Sequence, residues 1–391
     1  MTEDQVTGRT ESGSALDSAL ALAKDMAVQF PVCQQIQAVN PLGNGLINAT
    51  FAVQARGGHF VLQRINSAVF PNPPLIMANL ARLQHAAMES GLSAPRLPRL
   101  FQPGNGSLCA RDRDGHYWRL MERIEHGVPL TRVENPAQAA SIGRVLGVFH
   151  RFGADLAVTD FHITLPQSHD TLGYRSALDA ALAAAPDFAP GGDAVAAGLD
   201  AIPGLDALID QVRARDPVLG CLRDARDAGL IHNTLVHGDP KRDNVLFDAE
   251  GRQALCLIDL DTVQPGLILH DIGDCLRSCC NPAGESSRPG QVSFDAHLAA
   301  ALLRGYAEAA PGLLRKSEIE LLFDAVRLIP LELSIRFLVD HLRGDRYFRV
   351  RYRGENLEKA KAQLALVADI ERQEKQLRDL GRCFDADASR P

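Results

Sequence analysis

Leu235-Val236-His237-Gly238-Asp239-Pro240-Lys241-Arg242-Asp243-Asn244-Val245-Leu246-Phe247 is followed, fifteen residues after Asn244, by Asp259 in Leu257-Ile258-Asp259-Leu260-Asp261. In chemical terms the first stretch offers a carboxylate, Asp239, to an acceptor hydroxyl and an amide oxygen, Asn244, to a metal ion. Asp259 adds a second oxygen ligand. Phosphoryl transfer from a magnesium nucleotide needs such a set: a group that orients or deprotonates the nucleophile, and oxygens that hold Mg²⁺ on the phosphates. Val245-Leu246-Phe247 and Leu255-Cys256-Leu257-Ile258 flank the turn Asp248-Ala249-Glu250-Gly251. That hairpin is expected to set Asn244 and Asp259 side by side on rigid strands. Any one member is a weak signal, and Asp239 alone reads better as a turn cap before Pro240. The combination is strong.

The interval from Asp239 to Asn244 equals that of the protein-kinase catalytic loop, H-R-D-L-x-x-x-N. Lys241 is a candidate to steady the transferred charge, or else a solvated surface lysine. His237 is read as a structural hydrogen-bonding residue, and Asp261 as either a second metal ligand or a solvated carboxylate.

Outward from this loop the pattern changes twice. Ser14 to about Val28 has helical spacing of leucines, whereas residues 1 to about 13 are polar and expected to be mobile. Period-two alternation then marks Gln35–Val39, Thr50–Gln54 and His59–Gln63 as half-buried antiparallel strands, with turns at Asn44-Gly45 and Arg56-Gly57-Gly58. A helix is expected over Pro74–Glu89, and strands near Ser107–Ala110 and Tyr117–Arg123. Beyond Gly127 helical spacing dominates, as in Ala137–Arg151 and near 293–310, 316–343 and 356–380, with Ala183–Gly204 an irregular loop and 382–391 a tail. The expectation is an α+β, bilobal architecture. A small antiparallel-sheet lobe over 14–124 binds nucleotide, and a larger, mainly helical lobe over 125–381 carries catalysis and acceptor binding.

In the small lobe Pro41–Thr50 lies between two expected strands. The backbone of Gly43, Asn44 and Gly45, with Asn48, can approach phosphates closely, although the stretch by itself is only a hairpin. Arg64, in Leu62-Gln63-Arg64-Ile65-Asn66, stands where kinases place a phosphate-binding lysine, and a guanidinium can do that work bidentately. Its acidic partner is left unassigned, Glu89 being the nearest candidate.

The 391 residues carry a formal charge of -7 with 46% hydrophobic content, the profile of an ordinary globular chain. The absence of any basic tract argues against nucleic acid as a partner. With no signal-like N-terminus and no apolar run of about 18 residues, the chain is expected to be cytoplasmic and free of membrane. The eight cysteines are expected as free thiols. Cys275, Cys279 and Cys280 lack the ligand spacing of a structural zinc site.

His237-Gly238-Asp239…Asn244 with Ile258-Asp259-Leu260-Asp261 resembles the aminoglycoside phosphotransferase and choline kinase superfamily, of bilobal protein-kinase-like fold. A second set of blocks looks like its N-acetylhexosamine 1-kinase group. These are Gly43–Asn48, Leu62–Asn66, Asp239-Pro240-Lys241, Ile258–Val263 with Pro265-Gly266, Asp271–Asp274, and Arg336-Phe337-Leu338…Asp340…Gly344-Asp345…Tyr347-Phe348. The resemblance implies ATP- and Mg²⁺-dependent phosphorylation of the anomeric hydroxyl of N-acetylglucosamine or N-acetylgalactosamine. It implies Asp239 as base, Asn244 and Asp259 as metal ligands, and Thr262, Arg336 and Tyr347 as sugar contacts beside Asp239. Glu122, Arg123 and Ile124 fall at the implied adenine-binding hinge, and Asp271 is expected to brace the catalytic loop.

Two other readings stand beside this one. A kinase of another small alcohol (an aminoglycoside, another amino sugar or an amino alcohol) would favour an acid-rich pocket, against which Arg336, Arg343 and Arg346 speak. A non-catalytic protein on a kinase fold is supported only by arginine in place of lysine at position 64. The segment Thr159–Ala228, locally similar at Ser168-His169-Asp170-Thr171, is where the acceptor pocket is expected to differ.

Overall fold

The computed structural model describes residues 4–43, 47–91, 94–184, 204–284 and 288–389. The described residues fall into two units, one within 1–91, 96–126 and 161–164, the other within 94–95, 127–160 and 165–389.

The first unit is built on the period-two stretches. Helix α1 (Asp4–Val28) precedes β1 (Ile36–Pro41), β2 (Ala49–Ala55) and β3 (Gly58–Arg64), followed by α2 (Pro73–Ser90), β4 (Leu100–Phe101), β5 (Ala110–Arg111) and β6 (Tyr117–Glu122). The sheet runs β1-β2-β3-β6-β4, with β5 also on β6, and every pairing is antiparallel. Alternate residues Phe51 and Val53, Phe60 and Leu62, and Trp118 and Leu120 turn to one face and pack with Ala23, Met26, Ala27 and Phe30 around α1. A strand has a two-residue side-chain period, so one such face buries a continuous apolar surface. Helix α1 begins at Asp4, ten residues before the expected start. No proline interrupts residues 4–13, so the backbone can continue a helix already nucleated in the packed turns. Residues 161–164 join this unit through Asn79, whose amide donates to His162 O and accepts from His162 N, each at 2.8 Å.

The second unit opens with β7 (Val128–Pro129) and α3 (Pro136–Ala154), the helix capped by the Asn135 side chain accepting from Gln138 N. It continues with α4 (Thr171–Ala184), α5 (Leu205–Arg213), α6 (Cys221–Asp227), β8 (Asn233–Val236), β9 (Val245–Phe247), β10 (Ala254–Leu257) and β11 (Gln264–Leu267). Helices α7 (Ile268–Cys279), α8 (Ala296–Ala309), α9 (Lys316–Glu320), α10 (Leu322–Leu342), α11 (Glu355–Arg372) and α12 (Glu374–Asp379) complete it. Two small antiparallel sheets, β10-β9-β7 and β11-β8, are set among these helices.

Helices α3 and α8 cross where a Cβ on Gly143 would lie 1.9 Å from Leu302 O and one on Gly305 would lie 2.0 Å from Ala140 O. Only glycine permits that approach. Helix α10 is buried along most of its length, including Glu332 and Asp340. It is separate from α9, with the break at Leu321, so the single helix expected over 316–343 is two. The helix expected over 356–380 also divides, at Gln373. The expected tail from 382 is helical to Ser389, where a 3₁₀ segment places Phe384 against Tyr306. Most of the loop expected over Ala183–Gly204 lies outside the described residues.

Candidate active site

The loop between β8 and β9 is fastened from behind by α7. Asp271, fully buried on α7, accepts from His237 N at 2.7 Å and Gly238 N at 2.9 Å, and it meets His150 Nε2 of α3 at 2.9 Å. Burial alone would raise its pKa. The His150 hydrogen bond and charge, with His237 and the Gly238 amide, outweigh that and hold it below the ordinary carboxylate value. An ionised carboxylate only accepts, so His150 donates through Nε2, and its Nδ1 meets the Tyr306 hydroxyl of α8 at 2.9 Å. The expected brace is therefore present. It also extends into His150 and Tyr306, which no sequence signal exposed because they are remote members of separate helices.

Gly238 has φ +84°, and a Cβ there would lie 2.5 Å from Thr262 O. Burial lowers the His237 pKa despite the nearby Asp271 and Asp239. Neutral His237 donates through Nε2 to Ile258 O at 3.0 Å and accepts at Nδ1 from Asp239 N at 3.3 Å. It is structural, as its position in the loop suggested.

Asp239 is half-buried. Lys241 Nζ donates to its Oδ2 at 2.6 Å, and Asn244 Nδ2 donates to the same Oδ2 at 3.0 Å and to Asp239 O at 2.8 Å. Lys241 is thus held by Asp239 and is no freely solvated lysine. The engaged Nδ2 orients the Asn244 amide, whose oxygen is the atom chemically able to ligate a cation. Strands β9 and β10 pair as the sequence led one to expect, and Ile258 N donates to Asn244 O at 2.8 Å. The residue next to Ile258 is Asp259, exposed and in the left-handed region at φ 62°. An amide oxygen and a carboxylate on adjoining, tied backbones form an all-oxygen pair that suits Mg²⁺, which takes one or two protein oxygens alongside substrate phosphates. Asp261 is buried at 2% exposure, which corrects the reading of it as a solvated carboxylate; the short 3₁₀ turn Leu260–Thr262 carries it inward.

The Thr262 hydroxyl donates to His237 O at 2.7 Å, so toward a ligand it offers lone pairs only. Arg336 and Tyr347 are brought together, Nη2 to the phenol oxygen at 3.4 Å. The guanidinium lies over the rings of Tyr174, Tyr347 and Phe348 at 5.2, 5.6 and 5.4 Å. Asp340 aligns this loop by accepting from the backbone of Arg346, Tyr347 and Phe348. Burial disfavours the Arg336 charge, but Tyr174, Tyr347, Glu332 and Asp239 more than offset it. Tyr174 was not legible in the sequence as a partner of Arg336.

In the first unit Arg64 is half-buried over the Trp118 ring at 6.0 Å and forms no ion pair among the described residues. Glu89 faces His85 instead. Asn48 Oδ1 accepts from Asn66 N at 3.0 Å, tying the turn before β2 to the end of β3. Gly43 has φ +70° and open space where a Cβ would be; Asn44 and Gly45 lie outside the described residues. Glu122 N is committed to Arg99 O at 2.7 Å and its carboxylate accepts from Arg99 N, so this residue, expected at an adenine-binding hinge, makes contacts within the sheet. Ile124 is buried. The cysteines of α7 are buried, with Cys275 and Cys279 sulfurs 3.9 Å apart. Among the described residues the one group with metal-ligand spacing among His, Cys, Asp and Glu is Asp112, Asp114 and His116, which closes a surface hairpin.

A family profile described as "Phosphotransferase enzyme family" matches residues 38–314, well over half of the sequence and inclusive of the loop, the hairpin and Asp271. The chain belongs to this phosphotransferase enzyme family. The phosphotransferase is similar in structure to an aminoglycoside phosphotransferase from Alicyclobacillus acidocaldarius, with TM-score 0.60 and 18% identity over 90% of this chain and 96% of that one. A microcompartment-associated aminopropanol kinase gives TM-score 0.62 and 16% identity over 92% and 98% of the two chains. Choline kinase from Cryptosporidium parvum gives TM-score 0.58 and 12% identity over 94% and 98%. These likenesses show the fold: protein-kinase-like, an antiparallel sheet in the N-terminal part and helices in the C-terminal part. The phosphotransferase is a small-molecule kinase. Among its described residues no helix is long and apolar enough to cross a membrane.

Proposed function

We propose that this kinase transfers the terminal phosphoryl group of ATP to the anomeric hydroxyl of an N-acetylhexosamine, N-acetylglucosamine or N-acetylgalactosamine. The observation that carries the reading is the pairing of Arg336 with Tyr347 within reach of the field of Asp239. A guanidinium and a phenol suit the hydroxyls and acetamido carbonyl of a neutral sugar. They oppose a cationic acceptor such as choline, ethanolamine or an aminoglycoside, which a carboxylate-lined pocket would favour.

Asp239 acts as the base. Its Oδ2 is already engaged by Lys241 and Asn244, so Oδ1 receives the acceptor proton. Lys241 holds that carboxylate and steadies negative charge on the transferred group. Asn244 and Asp259 hold Mg²⁺, which when bound neutralises the phosphate oxygens. Gly43, Asn44, Gly45, Asn48 and Arg64 receive the phosphates, and the hinge at Glu122 and Ile124 receives adenine. Thr262, Arg336 and Tyr347 orient the sugar. The partner is a small molecule, not nucleic acid or membrane.

The test is ATP consumption with Mg²⁺ against N-acetylglucosamine, N-acetylgalactosamine, plain hexoses, choline, ethanolamine and kanamycin, with phosphorus NMR of the product. An anomeric sugar phosphate supports the reading. Turnover confined to an amino alcohol or aminoglycoside replaces it with that acceptor class.

A further inference from the structure

Beside Arg336 lies a buried group that the chemistry above does not use. Glu332, one turn earlier on α10 and buried at 2% exposure, meets His169 Nδ1 at 3.1 Å through Oε1 and accepts from Thr171 Oγ1 at 2.9 Å through Oε2. His169 takes a left-handed backbone, φ 57°, just before α4, and its ring stacks on His270 of α7 at 4.3 Å. Both oxygens of Glu332 are thus spent on fastening the start of α4 to α10. One turn into α4, the Tyr174 hydroxyl donates back to Gln167 O, and its ring covers Arg336.

We propose that Glu332, His169 and Thr171 are positioning residues for acceptor recognition, and that Tyr174 is a specificity-determining residue. The clamp seats α4 so that the Tyr174 ring fixes the Arg336 guanidinium for the acceptor. The inference rests on Arg336 facing the acceptor, and it extends that reading to the stretch Ser168–Thr171 and to Tyr174 on α4. A stem with four flexible torsions loses entropy whenever it is ordered. Confined by three rings, the Arg336 head is ordered before the acceptor arrives.

The clamp is also sensitive to protonation. Burial opposes charge on His169, yet Glu332, with Asp274 and Asp271 of α7, raises its pKa above the ordinary 6.5. Burial would raise Glu332, but His169 and then Arg336 bring it down to about 2. His270, stacked on His169, is lowered to about 3 by burial and by His169, so it stays neutral and adds no competing charge. The ion pair is therefore complete below the His169 pKa and is lost as pH rises through it.

The experiment takes whichever alcohol of the panel above is turned over best and measures KM for it and for ATP across pH 5.5–9. Tyr174→Leu and Glu332→Gln are expected to raise acceptor KM about tenfold, with ATP KM within about twofold of wild type. Tyr174→Phe keeps the ring and is expected to stay near wild type, which separates stacking on Arg336 from loss of the fold. Wild-type acceptor KM is expected to rise above the His169 pKa, and His169→Gln to flatten that profile. The inference is overturned if acceptor and ATP KM move together, if Tyr174→Leu leaves acceptor KM unchanged, or if His169→Gln keeps the wild-type profile. A best acceptor other than an N-acetylhexosamine removes the sugar reading and leaves this test intact. Turnover of no alcohol in the panel removes both.

Discussion

Asn244 and Lys241 converge on one oxygen of Asp239, the amide at 3.0 Å and the ammonium at 2.6 Å from Oδ2. The carboxylate cannot swing to exchange its two oxygens without breaking both contacts. Substituting Asp239→Asn keeps the shape and removes the base. The expected result is a fall in kcat of about 10²–10⁴-fold with ATP binding retained, measured by steady-state kinetics and nucleotide titration. A near-normal kcat would remove Asp239 from the chemistry.

Asp259 is exposed, next to the residue whose N–H meets Asn244 O. Asp259→Asn should raise the Mg²⁺ concentration needed for half-maximal rate by about tenfold or more, since a neutral amide holds a divalent cation less well than a carboxylate. An unchanged magnesium titration counts against its role as ligand.

Arg336→Ala removes the guanidinium from among three rings and from the Tyr347 hydroxyl. Acceptor KM is expected to rise by about 1.4 kcal/mol or more, a factor of ten, with ATP KM little changed. If ATP KM suffers instead, the acceptor side has been assigned to the wrong residues.

Gly238→Ala adds one methyl group and removes no chemical function. At φ +84° that methyl would sit 2.5 Å from the Thr262 carbonyl oxygen, so the loop must shift. The expected outcome is a loss of kcat of about a hundredfold with the thermal midpoint only modestly lowered, because a misplaced base costs rate more than it costs packing. Retention of full turnover would mean the loop tolerates displacement.

The parts of the site that were legible are those whose partners lie close along the chain. Asp239 and Lys241, or Asn244 and the β9–β10 hairpin, are neighbours within about twenty residues, and their spacing alone brought them together. The sheet was legible because period two leaves one choice of buried face. Contacts such as His150 with Asp271, or His169 with Glu332, span more than a hundred residues and carry no local pattern. His150, Asp271 and Glu332 sit in helices whose spacing accounts for them without any partner, and His169 lies in the turn before α4. Asp261 misled for a related reason: the 3₁₀ turn that faces it inward leaves no trace in a run of alternating aspartate and apolar residues. Helix ends were blurred where the breaks, at Leu321 and Gln373, lack proline or glycine.

The Ile258 N–H to Asn244 O bond sits at the open end of the β9–β10 hairpin, opposite its turn. The β9–β10 pairing that sets Asn244 and Asp259 side by side lies between that bond and the exposed tip at Ala249 and Glu250, so the tip itself touches neither residue's spacing. The separation of fifteen positions is a matter of connection and not of geometry. Residues grafted into the tip, a peptide tag or a reporter loop, would lengthen the count while leaving the two oxygens where they stand. The hairpin is a place where this fold can acquire new sequence without renegotiating its chemistry.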